Sequence, residues 1–449
     1  MHHHPLVGDY PPDPRFGWSA KAVIVLISFL NCQFLFVKSA NPFGVHYVQE
    51  LYLLALLAYV PVYVLRKSAV ISRMDGFVLL YATLFTGLSA VFALLEYGQP
   101  LFYGILEARV TLMTLAYFPL KDLVRGRKKR LVYALNTTVF ILFLVALLGL
   151  LVKLGLFSIA GYYRFGTSDL AARGDIYSAD TLRGDRMATG RFIVIFSTIY
   201  ALTMVTQSAS HAWKFVAFVA LWHIVFVLQE RQTMVGVSVS LTYLVLSGFH
   251  LRRIRKGSVA IVIAGVGAIL FAYLSSDLLL AQSRLLDNTL NADFYALARV
   301  DTALSIFEQM NLTFGHGALS LLWQDGFHRI FSERFFLGDV GIIGTAFRLG
   351  AIPALLLIGN AAAFLVLRTL HLPEAGLRKL VWALLAYLAI TAITSAPFEY
   401  VGNYLALVFL ILDRSPSQTA RLELATSEQW AAVRRAPLNW NQTENRLDP

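Results

Sequence analysis

Residues 121–153 read KDLVRGRKKRLVYALNTTVFILFLVALLGLLVK. From Leu131 to Val152 no residue is charged, and about 20 mostly apolar residues are what a helix needs to cross the hydrocarbon of a bilayer. Hydrocarbon offers no partners for backbone N–H and C=O groups, so such a run satisfies them internally, as a helix. The ten residues before it carry Lys121, Arg125, Arg127, Lys128, Lys129 and Arg130. A cationic cluster of this kind marks the cytoplasmic end of a span.

The same alternation extends in both directions. Twelve apolar segments are predicted to be transmembrane helices: 19–37, 47–65, 75–95, 101–120, 131–152, 188–206, 212–229, 232–249, 258–280, 340–367, 377–394 and 398–412. Five connections on one side carry nearly all of the loop lysine and arginine. They are 66–74 (Arg66, Lys67, Arg73), 121–130, 207–214 (Lys214), 250–257 (Arg252, Arg253, Arg255, Lys256) and 368–379 (Arg368, Arg378, Lys379). The short connections opposite hold only Lys38 and Arg231. The bias places the first set, and with it both termini, in the cytoplasm. The expected fold class is an all-α polytopic membrane protein. It comprises a leader over 1–18, a transmembrane domain over 19–412 and a cytoplasmic tail over 413–449. Outer loops run over 153–187 and 281–339. Within the second, Phe294, Leu297, Val300, Leu304, Phe307 and Met310 recur every three or four residues, which predicts an amphipathic helix on the membrane surface or capping the bundle.

Composition agrees with this reading: 57% of the residues are hydrophobic and 14% charged, against roughly 25% charged in soluble domains. The net charge of +11 is accounted for by orientation, so nucleic acid is not expected as a partner. Cys32 is the only cysteine, which excludes an intrachain disulfide and a thiolate cluster. The histidines and carboxylates show no metal-ligand spacing, and no cofactor motif is present. No cleavable signal peptide and no internal repeat is evident in the sequence.

Ionisable residues inside spans are costly, roughly 2.5–3.5 kcal/mol each at a helix centre, and are functional by default. Glu50, Glu107, Arg109, Arg348 and Glu399 all fall in the outer half of their expected spans, with Glu230 and Arg231 at the outer edge. Such clustering predicts a polar cavity open to the outer side. Arginine's planar fork binds phosphate oxygens in pairs and keeps its charge when partly desolvated. Arg186, Arg191, Arg231, Arg299 and Arg348 are therefore the expected contacts of a lipid-linked phosphate or pyrophosphate.

Three stretches resemble the superfamily of bacterial Wzy-type polysaccharide polymerases and O-antigen ligases. They are Arg186-Met-Ala-Thr-Gly-Arg191-Phe before the sixth span, Glu230-Arg231-Gln-Thr-Met at the eighth, and the late outer loop. That loop runs Arg299, Gly315-His316-Gly317, then Gly338-Asp339-Val-Gly341-Ile-Ile-Gly344. The resemblance covers roughly residues 186–350. A ligase typically carries a His-Asn pair before the last glycine run, where this chain has His328-Arg329. That places the polymerase reading ahead, with the O-antigen ligase as the alternative.

The resemblance implies a GT-C-like membrane glycosyltransferase acting on the periplasmic face of the bacterial inner membrane. Its implied partners are an undecaprenyl-pyrophosphate-linked glycan donor, a lipid-linked acceptor, the bilayer and a chain-length regulator. Its product would be an exopolysaccharide, capsule or O-antigen, and no metal or cofactor is required. In this scheme Arg191, Arg231 and Arg299, with Arg186 and Arg348, stabilise the leaving pyrophosphate. His316 is the expected general base, because its ordinary pKa suits proton transfer near neutrality. Asp339 competes for that role, or caps the following helix. A secondary transporter is the alternative from another class, since twelve helices with both ends inside is a common transporter plan, although such proteins tend to show two related halves.

Overall fold

The computed structural model describes residues 16–31, 47–67, 71–124, 127–154, 156, 191–208, 210–228, 231–249, 302–320, 323, 337, 340–393 and 402–413. No strand occurs among the described residues. The helices are α1 (Trp18–Asn31), α2 (Tyr47–Lys67), α3 (Arg73–Tyr97), α4 (Leu101–Glu107), α5 (Arg109–Val124), α6 (Lys128–Lys153), α7 (Arg191–Gln207), α8 (His211–His223), α9 (Arg231–Phe249), α10 (302–309), α11 (Gly341–Leu349), α12 (Ala351–Leu370), α13 (Ala375–Thr391) and α14 (Gly402–Leu412). Each expected apolar segment overlaps at least one of these helices, except 258–280, which lies outside the described residues.

Four helices are long and apolar enough to cross a membrane: Arg73–Tyr97, Lys128–Leu151, His211–Leu228 and Ala351–Leu370. Counted as one span, the bent pair Leu101–Glu107 and Arg109–Val124 makes a fifth. At 1.5 Å per residue, the 25 residues of α3 extend about 37 Å, enough for hydrocarbon about 30 Å thick. A capping box starts α3. The Asp75 N–H donates to Ser72 Oγ (3.1 Å) and the Ser72 N–H to Asp75 Oδ2 (2.9 Å), which satisfies two of the N–H groups that a helix start leaves open.

Helices approach closely where small residues allow it. A β-carbon at Gly104 of α4 would stand 2.7 Å from Ala90 of α3, and one at Gly236 of α9 2.7 Å from the Tyr387 ring of α13. Ser240 Oγ donates across the same α9–α13 contact to the Ala383 carbonyl (2.8 Å). The main core unites buried residues from most of the helices. A second, smaller core of Ile306, Leu319, Leu337, Val340 and Phe347 fastens α10 and α11 against Tyr97 at the end of α3.

Three expectations are corrected. The expected fourth span, 101–120, is two helices bent by 65° on either side of Ala108. The expected tenth span, 340–367, is also two, parted at Gly350 with φ 86° and ψ 149°. Only glycine occupies that region readily. Charged residues flank the first break (Glu107, Arg109) and precede the second (Arg348), but they do not interrupt the apolar segment enough to end it in a hydropathy reading. Arg348 therefore sits on a short helix ahead of the long one. The expected basic loop 121–130 is mostly helical, since α5 reaches Val124 and α6 begins at Lys128. On α10 the expected stripe faces outward at Leu304 and Phe307, the arrangement of a helix laid on a membrane surface, while Met310 packs on the smaller core; the helix also has a separate inner face. It buries Thr302 and Ile306, while Leu304 and Phe307 are 55% and 61% exposed. Phe294, Leu297 and Val300 lie outside the described residues.

Candidate functional site

The segment Asn311–Ser320 threads between the end of α3 and the break at Gly350. The Ala351 and Ile352 N–H groups donate to the Asn311 and Leu312 carbonyls (3.2 and 2.9 Å). The His316 N–H donates to the Phe347 carbonyl and the Gly317 N–H to that of Arg348, both at 2.9 Å. Gln99 is fully buried and closes the far side: its Oε1 accepts from the Ser320 N–H (2.7 Å) and its Nε2 donates to the Ala318 carbonyl (3.1 Å).

Both glycines around His316 are required by this path. Gly315 stands against the Arg348 carbonyl. Gly317, at φ 74°, stands against the backbone of Ser89 and Ala93. Gly317→Val forces a β-branched side chain into a left-handed position facing backbone, at a cost of about 3 kcal/mol or more. The expected result is a marked fall in the yield of monodisperse protein on detergent extraction, with an unchanged yield counting against this packing.

The His316 ring stacks on Phe347, with centroids 4.6 Å apart, and Tyr97 lies 6.2 Å away. Nε2 is 2.7 Å from the Gln309 carbonyl. A carbonyl only accepts, so Nε2 carries the proton and Nδ1 presents its lone pair. Nδ1 makes no hydrogen bond but lies 3.4 Å from Glu96 Oε1. The imidazole is 15% exposed and Glu96 half exposed, but Nδ1 itself is shielded from solvent. This arrangement takes a proton on Nδ1 and offers the resulting imidazolium a carboxylate.

Among the described residues, Arg348, buried behind the turn, is the sequence-predicted arginine that the structure brings to His316. Three hydroxyls on the neighbouring helices stand out. Many helical threonines bond one turn back, as Thr137 does to Tyr133, Thr198 to Val194 and Thr369 to Leu365, although Thr114 does not. Thr86 and Ser89 on α3 and Thr345 on α11 are buried and make no hydrogen bond. Because α3 packs on α11, polar capacity collects beneath His316 that the protein itself leaves unused.

Arg191 and Arg231 are the first residues of α7 and α9. The connections α7–α8 and α8–α9 are too short for anything but antiparallel neighbours, so α7 and α9 run in the same direction, and they pack together. Both arginines therefore lie at the same end of the bundle, on helices other than those that hold His316. The Arg191 guanidinium lies 5.3 Å from the Phe192 ring centroid. Arg186, Arg299, Asp339, His328, Glu230 and Glu399 lie outside the described residues. Among the described residues no group of three or more His, Cys, Asp or Glu is placed to hold a metal ion.

A polar cluster that sequence reasoning missed joins the start of α3 to α5 and the end of α14. Lys121 Nζ lies 2.7 Å from Asp75 Oδ1, 3.2 Å from Asp413 Oδ2 and 3.1 Å from Ser72 Oγ. The Tyr117 hydroxyl donates to Asp75 Oδ1 (2.8 Å) and that of Tyr63 to Oδ2 (3.4 Å). Burial pushes the Asp413 carboxyl above its ordinary range, against the pull of the Lys121 ammonium. In the sequence Lys121 reads as an orienting charge and Asp413 as the start of the tail. Only the Ser72-x-x-Asp75 capping signature was visible in the sequence.

No protein-family model and no curated protein matches the chain.

Proposed function

We propose that this chain is a polytopic bacterial inner-membrane protein of twelve crossings with a GT-C-like fold. In this reading it transfers a glycan from undecaprenyl pyrophosphate to a second lipid-linked repeat unit on the periplasmic face. The observation that carries the reading is His316: an imidazole whose Nδ1 is shielded from solvent, makes no hydrogen bond and lies 3.4 Å from Glu96 Oε1, held in a turn over Arg348. The acceptor hydroxyl gives its proton to Nδ1 while its oxygen bonds to the anomeric carbon. The bond from that carbon to the pyrophosphate oxygen breaks, and the electron pair leaves with undecaprenyl pyrophosphate. Glu96 stabilises the imidazolium, and arginines stabilise the leaving group. The motif resemblance of residues 186–350 supports the lipid-linked substrate. No metal and no cofactor takes part.

His316→Ala is expected to lower the rate of chain extension about 100- to 10,000-fold, read as kcat with purified lipid-linked repeat unit. A rate within a few-fold of wild type removes His316 from the chemistry. The orientation has its own test. In a Cys32→Ser background, Thr313→Cys is expected to react with a membrane-impermeant maleimide on intact spheroplasts, and Arg127→Cys to react only after lysis. The reverse pattern inverts the topology.

A second reading, secondary transport, is favoured by the bent pair α4–α5, since broken helices carry transporter sites. Uptake of a labelled solute into proteoliposomes, with no glycan product, would establish it. The ligase alternative differs only in acceptor, lipid A core in place of a second repeat unit.

A further inference from the structure

The turn that carries His316 is apolar where it is exposed. Leu312 and Phe314 are 65% and 66% exposed, and so is most of Leu95, beside Glu96 on α3. Turns that face water are built mainly from small polar residues, glycine and proline, whereas exposed apolar side chains in a group mark a membrane or partner contact. The backbone suits surroundings without water. Asn311 Oδ1 accepts from the Thr313 and Phe314 N–H groups (3.0 and 3.4 Å) and from the Thr313 hydroxyl (3.2 Å). The Ala318 N–H donates to the Ser89 carbonyl (3.4 Å). The N–H groups of His316 and Gly317 and the carbonyls of Asn311, Leu312 and Ala318 also find partners within the protein. Irregular backbone beside hydrocarbon requires such internal pairing.

Two helices long and apolar enough to cross a membrane, α3 and α12, flank the turn, and their exposed faces run into it. The Phe314 ring meets Phe92 of α3 edge to face, with centroids 6.3 Å apart. The Leu312 carbonyl holds the N–H of Ile352, which opens the exposed face of α12 with Leu355 and Leu356. Helix lengths give the depth. The 25 residues of α3 exceed hydrocarbon about 30 Å thick by about 7 Å, or about 3.5 Å at each end of a centred helix. Phe92 stands about 7.5 Å from the end of α3 at Tyr97, which puts it about 4 Å inside the hydrocarbon. The 20 residues of α12 span about 30 Å, so Ile352, and with it Leu312, lies at the hydrocarbon edge. Glu96 lies about 2 Å outside it.

We propose that the turn Leu312–Phe314 is seated among the acyl chains of the leaflet at this end of α3, the outer one in the orientation proposed above. It thereby holds His316, two residues on, at the level where lipid meets water. The occupant of the exposed apolar surface is the bilayer itself, because that surface continues the exposed sides of α3 and α12. The seating goes beyond the amphipathic pattern of α10, since it concerns the irregular segment that carries the imidazole. It rests on the membrane reading of the chain and is independent of the glycan chemistry.

The test is spin labelling of the full-length protein in nanodiscs of phosphatidylethanolamine and phosphatidylglycerol. In a Cys32→Ser background a nitroxide is attached at Phe314→Cys. Leu355→Cys serves as the reference for lipid and Arg127→Cys as the reference for water. Oxygen concentrates in lipid and a nickel chelate in water, so relaxation by each reports the surroundings of the label. Oxygen is expected to outweigh the chelate at Phe314→Cys and Leu355→Cys, and the reverse is expected at Arg127→Cys. A second measurement needs no variant. Wild type is irradiated with a phospholipid that carries a diazirine near the glycerol end of its acyl chain. Mass spectrometry is expected to find the label on the peptide holding Leu312 and Phe314 as well as on the start of α12. If the Leu355→Cys label reads as water, the membrane reading falls and this inference with it. If that label reads as lipid while the one at Phe314→Cys meets the chelate, or is shielded from both reagents by protein, the inference alone is overturned. Photolabelling of the α12 peptide without that of the turn overturns it equally.

Discussion

Arg231→Ala is expected to lower chain extension about 100- to 1000-fold while leaving the protein inserted and folded. Preorganised donors at a leaving group cost this much when one is lost, because no solvent dipole can take their place in a water-poor cavity. Arg231 is the first residue of its helix, and the start of a helix favours an anion through its dipole, so in the proposed mechanism its charge adds to that of the backbone. Arg231→Lys should recover only part of the rate, since an ammonium keeps the charge but loses the two-point fork. The readout is the length distribution of surface glycan in a strain complemented by each variant, with membrane abundance measured in parallel. Single repeats are the expected product. Polymer that remains on its lipid carrier would identify a ligase, and glycan of normal length would end the assignment of Arg231.

Lys121→Met is expected to lower stability by about 3 kcal/mol or more. The ammonium stands between Asp75 and Asp413 at 2.7 and 3.2 Å, and Asp75 is buried. Removing the cation leaves two carboxylates facing each other, one of them without access to water, and breaking a buried pair in this way typically costs 3–5 kcal/mol. The cluster joins elements far apart in the chain, so the loss should appear in global unfolding rather than local fraying. The measurement is the unfolding midpoint in mixed micelles. Asp75→Asn in the same background should restore part of the loss, because it removes one of the stranded charges. Equal midpoints for wild type and Lys121→Met would show that the cluster contributes nothing net.

The two variants separate the ends of the molecule. Arg231 should change activity without stability, and Lys121 stability first. A protein in which both changed stability alone would be one whose arginine at the start of α9 serves the fold.

Much of the helical architecture was legible in the sequence because it rests on composition over long windows. The run Leu131–Val152 must be a helix in hydrocarbon whatever surrounds it, and the apolar segments from 19 to 249 need no partner to be recognised. The glycines at 315 and 317 marked a tight turn, and His316 stood out between them. Interactions between distant residues were not legible. The choice of Nε2 as the protonated nitrogen depends on the Gln309 carbonyl, and the charge of Glu96 reaches Nδ1 only because the turn packs on the end of α3. The break at Gly350 is a single φ value inside an apolar stretch, invisible to hydropathy. The face of α10 that turns inward is Ile306, against Phe347 and Leu319, rather than the longer stripe through Leu304 and Phe307. Lys121 reads as one of six cations near a membrane surface until Asp75 and Asp413 are brought to it. The sequence by itself determined that the chain folds as apolar helices, because the cost of an unsatisfied backbone is local. Only the tertiary structure decided which polar groups are paired and which, like the ring nitrogens of His223, are not, because pairing is a property of neighbours that the chain order does not contain.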